Sequence, residues 1–244
     1  PTADPTPRRI PPRAELGLFL PISYRMRPRL CSVISEMSYQ SRLLPHPSTA
    51  SRSLVLPPEH AEPDELRSPR LLHSSDGVCF LPVAHQGNSQ DSPEEVYLIK
   101  ALCDELSSVS LHEDGMQPRR LRTDEILVVA PYNLQVRALS SALDPMTRVG
   151  TVDRFQGQEA PVVIVSLCAS DFDEDAPNAA GAGSRGLSFV LNQNRLNVAL
   201  SRAQCLAIVV GSPRLLETPP KSLDTHRELN FLCRIAEFAG EAEP

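Results

Sequence analysis

Lysine is almost missing from this 244-residue chain: of its 24 basic residues only Lys100 and Lys221 are lysines. Neither follows a glycine and no G-x-x-x-x-G-K-[ST] occurs, which excludes a phosphate-cradling loop within the sequence. The acidic pairs Asp104-Glu105 and Asp124-Glu125 do not follow an apolar strand, so neither is a Walker B carboxylate. No apolar run approaches the roughly 18 residues of a membrane span, and none has the layout of a signal peptide, so no membrane partner is expected. The cysteines at 31, 79, 103, 168, 205 and 233 form no C-x-x-C pair, and the histidines form no H-x-x-x-H pair. No metal site is expected from them, and the cysteines read as buried reduced thiols of a cytoplasmic protein. A positive excess is missing as well: the net charge of −6 excludes nucleic-acid binding by bulk charge and leaves it to local patches. The first residue is Pro1 rather than Met, and the chain reads as a soluble piece of something longer.

What the chain has is enough apolar sequence, 41%, for the core of one large domain or two small ones. Residues 1–15 are proline-rich, with the composition of a linker. Over 16–44 the pattern is helical, with Leu30, Val33, Ile34 and Met37 at three- and four-residue spacings. Residues 45–76 carry Pro45, Pro47, Pro57, Pro58, Pro63 and Pro69 among many charges and read as an irregular insertion.

Beyond the insertion the periods alternate. Strands are expected over 78–83, 126–130 and 162–167, near Val149 and 187–191, and over 206–211. Helices are expected over 93–106, over 133–143 with Leu134, Ala138 and Leu139 inward, over 194–202, and over 224–238. Near-continuous apolar strands separated by helices argue for an α/β fold, a parallel sheet covered on both faces. Ligands of such sheets bind beyond the carboxyl ends of the strands, which is where 131–135 and 151–159 are expected.

Three stretches join apolar sequence to polar or arginine-rich sequence: ISYRMRP (22–28), GTVDRFQGQE (150–159) and NRLNVALSRAQ (194–204). On a helix Arg195 and Arg202 lie two turns apart on one face, with Val198 and Leu200 packing and Arg202 projecting from the end. An arginine offered from a rigid helix suits a phosphate, because its planar fork makes two charge-assisted hydrogen bonds with little further ordering. Tyr132, after ILVVA, is placed to stack on a base, and Arg137 or Arg154 to pair with phosphates. Asn192 and Asn194 read equally well as helix caps.

ISYRMRP resembles the YRMHP-type motif IV of superfamily 1 helicases, TVDRFQGQE their motif V and NRLNVALSRA their motif VI. ILVVAPYNLQV is similar to the strand and helix that precede motif V. The resemblance covers about 16–217, and the motifs stand in the family's order. It implies that 16–244 form the second RecA-like domain of a helicase in the branch of the RNA-surveillance helicases and their DNA-acting relatives. That is a P-loop NTPase-type fold that lacks the P-loop itself.

By that resemblance Arg25 and Arg202 would reach the γ-phosphate of ATP as arginine fingers. Gln156, Gly157 and Glu159 would face the nucleotide, with Glu159 near ribose or phosphates, while Thr151 and Asp153 would approach the nucleic-acid backbone. ATP and Mg²⁺ would be held mainly by an N-terminal RecA-like half, the intramolecular partner. The external partner would be single-stranded nucleic acid, DNA ahead of RNA. The segments VAHQGNSQDSPEEV and LVVAPYNLQVRAL also resemble bacterial members in which the helicase part follows a RecB-like nuclease, which would make a fused nuclease domain a further partner. The chain alone would then be inactive; the alternative is a non-catalytic nucleic-acid or protein-binding module that keeps the fold. Ser23 and Arg27 depart from the family, which often has Gln and His there.

Overall fold

The run Ala160–Ser166 has all seven residues buried and forms the middle strand of a five-stranded sheet. The computed structural model describes residues 18–58, 70–170, 187–220 and 222–240; the proline-rich stretch 1–15 lies outside them. In chain order the strands are β1 (Ile22–Ser23), β2 (Leu44–Pro45), β3 (Ser53–Val55), β4 (Gly77–Pro82), β5 (Ser110–His112), β6 (Arg119–Arg120), β7 (Ile126–Val129), β8 (Arg148–Gly150), β9 (Ala160–Ser166) and β10 (Ala203–Gly211). The helices are α1 (Pro28–Tyr39), α2 (Pro93–Leu106), α3 (Asn133–Ala142), α4 (Leu187–Val190), α5 (Gln193–Leu200), α6 (Arg214–Glu217) and α7 (Leu223–Gly240). Short 3-10 turns occupy Pro47–Ser51, Thr123–Glu125 and Val152–Phe155.

The main sheet runs β4-β10-β9-β7-β8 and every pairing in it is parallel. Side chains alternate across it. Leu127, Val129, Val163, Val165 and Val209 enter a core with Leu30 and Ile34 of α1, Leu196 of α5 and Leu232 of α7. Ile126, Val128, Val162, Ile164 and Ile208 enter a second core with Ile99 and Leu102 of α2 and Leu139 of α3. With both faces covered, neither set of alternating positions is left to polar residues. Ile164 is fully buried in the middle strand, so truncation to Ala would cost about 2–5 kcal/mol.

Four sequence expectations change. The helix over 16–44 is confined to Pro28–Tyr39: Pro28 opens it and Gln40, left-handed at φ 55°, closes it. Its flanks pair instead as the parallel ribbon β1-β2. The insertion, described up to 58 and from 70, contains a 3-10 turn and β3, which joins β5 and β6 in an antiparallel sheet. The apolar stretch 187–191 is helical rather than extended over Leu187–Val190. Leu134 points outward at 49% exposure, and Gln135 takes the buried position because its amide is hydrogen-bonded there.

All six cysteines are free; Cys31, Cys168 and Cys205 are buried and the others half-buried. Burial pushes the Cys205 thiol up to about 12. Among the described residues no helix is long and apolar enough to cross a membrane.

Candidate functional site

Because the main sheet is wholly parallel, it has one edge of strand amino ends and one of carboxyl ends, and the two gather different chemistry. At the amino edge, Arg25 sits in the turn between β1 and α1. Ser23 Oγ accepts weakly, at 3.4 Å, from the backbone N–H groups of Arg25 and Met26, and Met26 is buried beneath the turn. Arg25 Nε donates to Glu159 Oε2 at 2.7 Å and its Nη1 to the Ser201 carbonyl at 2.8 Å. Gln204 Nε2 donates to the other carboxylate oxygen, also at 2.7 Å. Burial alone would raise the Glu159 carboxyl, but the hydrogen bonds from Arg25 and Gln204 hold it below its ordinary value.

Arg202 does not project from a helix end. α5 stops at Leu200, the chain turns, and Arg202 is only 6% exposed between α5 and β10. Its Nη1 donates to the Gln158 carbonyl at 3.1 Å, and its Nε finds no partner. Burial, then the like charge of Arg25, lowers its affinity for its proton. Arg148 donates to Gln158 Oε1 at 3.3 Å and to the Glu159 carbonyl at 3.1 Å. Arg52 reaches the Arg25 carbonyl at 3.4 Å and Glu113 at 3.2 Å. Arg25 and Arg148 thus bind Glu159 directly, through its carboxylate and its carbonyl, and Arg202 and Arg52 bind the neighbouring Gln158 and Arg25 carbonyls, a cationic setting suited to an anion.

Arg27 stands where the family often has His, and its geometry accounts for it. Its Nε pairs with Asp76 Oδ2 at 2.9 Å, and its Nη1 donates to the carbonyls of Ala50 and Arg52. It ties the insertion to the start of β4.

The carboxyl edge holds a small, partly open cleft of about 30 Å³, lined by Thr151, Ser166, Phe189, Arg195 and apolar strand ends. Tyr132 tilts against Phe189 with ring centroids 5.2 Å apart, and the Arg195 guanidinium lies 4.5 Å above the Phe189 ring. Asp153, largely exposed, faces Arg195 at 3.9 Å. An aromatic pair with a cation above it can stack a base and hold a phosphate.

The 151–159 stretch joins the two edges. Gly150 is level with Val129, and Val129 with Val165, so Thr151 leaves at the carboxyl edge. Glu159 precedes Ala160, the first residue of β9, at the amino edge. The expectation that the whole stretch lies beyond strand carboxyl ends therefore holds for Thr151 and fails for Glu159, because the chain must return to begin the next parallel strand. α5 makes the same passage, with Arg195 at the cleft and Arg202 at the other edge.

Of the residues singled out from sequence, Arg25, Glu159 and Arg202 come together. Gln156 and Gly157 form an exposed turn beside them; Gly157 has φ +81°, and a Cβ there would meet nothing, so the backbone alone asks for glycine. Thr151 lines the cleft, while Tyr132 and Asp153 stand beside it, against its lining residues Phe189 and Arg195. Arg154 stands apart from it, donating to the Val149 carbonyl and lining a second cavity with Arg148 and Asp144. Asn192 caps α5 through the Arg195 N–H at 3.1 Å, whereas Asn194 is simply exposed. Sequence reasoning missed Gln204, Arg52, Arg148 and Phe189. A lone polar residue entering a buried strand was the only signal for Gln204.

The AAA domain family matches residues 12–214. DNA-binding protein SMUBP-2 of Rattus norvegicus is 31% identical over 220 residues, 86% of this chain and 20% of that protein. DNA polymerase alpha-associated DNA helicase A of Saccharomyces cerevisiae is 27% identical over 84% of this chain and 29% of its own length. Probable RNA helicase armi of Drosophila melanogaster is 28% identical over 86% of this chain and 17% of its own. The chain thus spans less than a third of each of these relatives. With its parallel sheet between two helical layers it has a RecA-like α/β fold, and it belongs to the AAA domain family, among the superfamily 1 helicases.

Proposed function

We propose that this chain is the C-terminal motor half of an ATP-dependent helicase or translocase, presenting Arg25 and Arg202 to ATP held by an N-terminal RecA-like domain. The observation that carries this reading is the convergence of Arg25, Glu159 and Arg202, from three separate stretches, at one sheet edge. Guanidinium groups around one carboxylate fit a polyphosphate rather than a cation. Mg²⁺ would therefore arrive with the nucleotide, carried by the other half, where it would neutralise charge on the phosphates.

When water attacks the γ-phosphorus, negative charge spreads over the transferring oxygens, and a planar guanidinium offering two N–H groups stabilises it. Arg202 is already desolvated and held by Gln158, so little reorganisation remains. Arg25 is held by a partly exposed ion pair worth about 0–1 kcal/mol, weak enough for a phosphate to displace Glu159. The freed carboxylate can then accept from a ribose hydroxyl, with the Gln156-Gly157 turn facing the nucleotide.

At the carboxyl edge Tyr132 would stack on a base of the strand, with Thr151 and Asp153 along its backbone and Arg154 on a phosphate farther out. Closure and opening of the two halves would step the protein along the strand. DNA is favoured over RNA by the relatives named as a DNA-binding protein and a DNA helicase. Turnover of the full-length protein at saturating single strand tests the reading: Arg202→Ala is expected to lose roughly 10³–10⁵ in rate. Near-wild-type rates would leave this chain as a binding module that keeps the fold.

A further inference from the structure

Behind the cleft lies a set of buried polar side chains that the roles above do not use. Glu95 of α2 and His85, both with 0% side-chain exposure, meet at 3.0 Å between Oε1 and Nε2. The Ser166 hydroxyl donates to Glu95 Oε2 at 2.6 Å, and the Cys168 N–H reaches both carboxylate oxygens, at 3.0 and 3.1 Å. Gln135 Nε2 donates to Ser166 Oγ at 2.9 Å while its Oε1 accepts from the Ser92 N–H at 2.9 Å. His85 Nδ1 lies 2.8 Å from Ser170 Oγ, which accepts from the Asn88 N–H. The tautomer with its proton on Nε2 lets each of these donors find an acceptor.

The sequence points elsewhere. Ser92-Pro93-Glu94-Glu95 has the form of a capping box, in which Glu95 would fold back onto the Ser92 N–H. Instead Gln135 takes that N–H, and Glu95 turns inward. Removing a carboxylate from water is unfavourable, and an apolar side chain would pack the site at less cost, so the network is better explained by the geometry it imposes. That geometry is specific. Cys168 is held at φ 53°, a left-handed conformation unusual for a residue other than glycine, two residues past the end of β9. Ser166 is both a ligand of Glu95 and part of the cleft lining.

We propose that Glu95 is a positioning residue for the strand-binding edge: its carboxylate fixes the Cys168 turn and the Ser166 floor, and thereby sets affinity for a single strand it does not touch. The inference rests on reading the carboxyl edge as the strand site.

The test uses the full-length protein, a fluorescein-labelled oligothymidylate, and steady-state ATP turnover. Glu95→Gln keeps the size but replaces one carboxylate oxygen with an –NH2, which cannot accept from the Ser166 hydroxyl or the His85 N–H it would face and leaves the Cys168 N–H one acceptor in place of two. It is expected to weaken strand binding roughly tenfold, with the KM for ATP and the strand-saturated rate unchanged. Glycine adopts the left-handed conformation freely, so Cys168→Gly in the Glu95→Gln background should restore most of that affinity. Hydrogen exchange at the Cys168 amide should accelerate in Glu95→Gln. Ser166→Ala, a smaller change that serves should Glu95→Gln not fold, removes the hydroxyl that donates to Glu95 and should also weaken strand binding.

Unchanged strand affinity, equal losses of strand and ATP affinity, or no rescue by Cys168→Gly would each overturn the role given to Glu95. A wild-type protein that binds no strand would instead sink the strand-site reading, and the role with it.

Discussion

Arg25 Nε lies 2.7 Å from Glu159 Oε2, and the same carboxylate is held from its other side by Gln204. The pair joins residues 134 positions apart in the chain yet stays partly open to solvent, with side chains 33% and 44% exposed. It is therefore a weak tether and a well-aimed one. Glu159→Gln should change unfolding free energy by no more than about 1 kcal/mol, while lowering ATP turnover of the full-length protein because Arg25 loses its seat. Urea denaturation alongside steady-state turnover checks this; a large stability loss with normal turnover would reverse the assignment.

The pH dependence of that tether has a definite sign. Glu159 is held below its ordinary value of 4.5 in the folded chain, so its contribution to stability is fully present above that value. It is lost as pH falls through the lower folded value. The stability difference between wild type and Glu159→Gln should thus be constant near neutrality and shrink in acid. Urea midpoints for both proteins from pH 7 down to about 3 decide it, and a gap that widened in acid would contradict the ion pair.

Arg25 and Arg202 are predicted to act on one phosphoryl group. Each alanine substitution should lower turnover of the full-length protein, and the double substitution should cost less than the sum of the two. Arg202→Lys keeps the charge but loses the planar fork, so it should restore little. Full additivity in turnover would place the two arginines on separate events.

Arg27 carries a structural prediction. Its side chain joins Asp76 to two main-chain carbonyls of the insertion, so Arg27→Ala should destabilise the chain by about 1–3 kcal/mol. Asp76→Asn should cost less, since Arg27 would keep its carbonyl partners. Equal losses in thermal or urea unfolding would mean that the carbonyl contacts contribute nothing.

Much of the frame was legible because a sheet covered on both faces leaves few polar positions: 126–130, 162–167 and 206–211 announce themselves as apolar runs. What misled was local. Around Phe189 and Val190 the stretch is too short for periodicity to separate a turn of helix from a strand. Leu134 was placed inward by its hydrophobicity, while the inward position belongs to Gln135, whose amide is satisfied by Ser92 and Ser166. Arg25, Glu159 and Arg202 could be picked out by motif, but sequence alone does not tell which edge of a sheet a connection returns to. Glu95 gave no signal for a different reason: at the start of α2 two glutamates stand side by side, and nothing in the sequence says which of them turns inward.

The passage from Gly150 to Glu159 also limits length. It must descend the height of about six strand residues, roughly 20 Å, and cross beneath β7 on the way to β9. Four of its residues are coiled in the 3-10 turn Val152–Phe155 and advance only about 2 Å each, roughly 8 Å together. The five others can supply roughly 16 Å when extended. Almost no slack remains, so removing a single residue here would have to unwind the turn or pull Glu159 away from Arg25. Insertions and deletions should accumulate in the 45–76 segment and be refused in this one, whatever residues are exchanged within it.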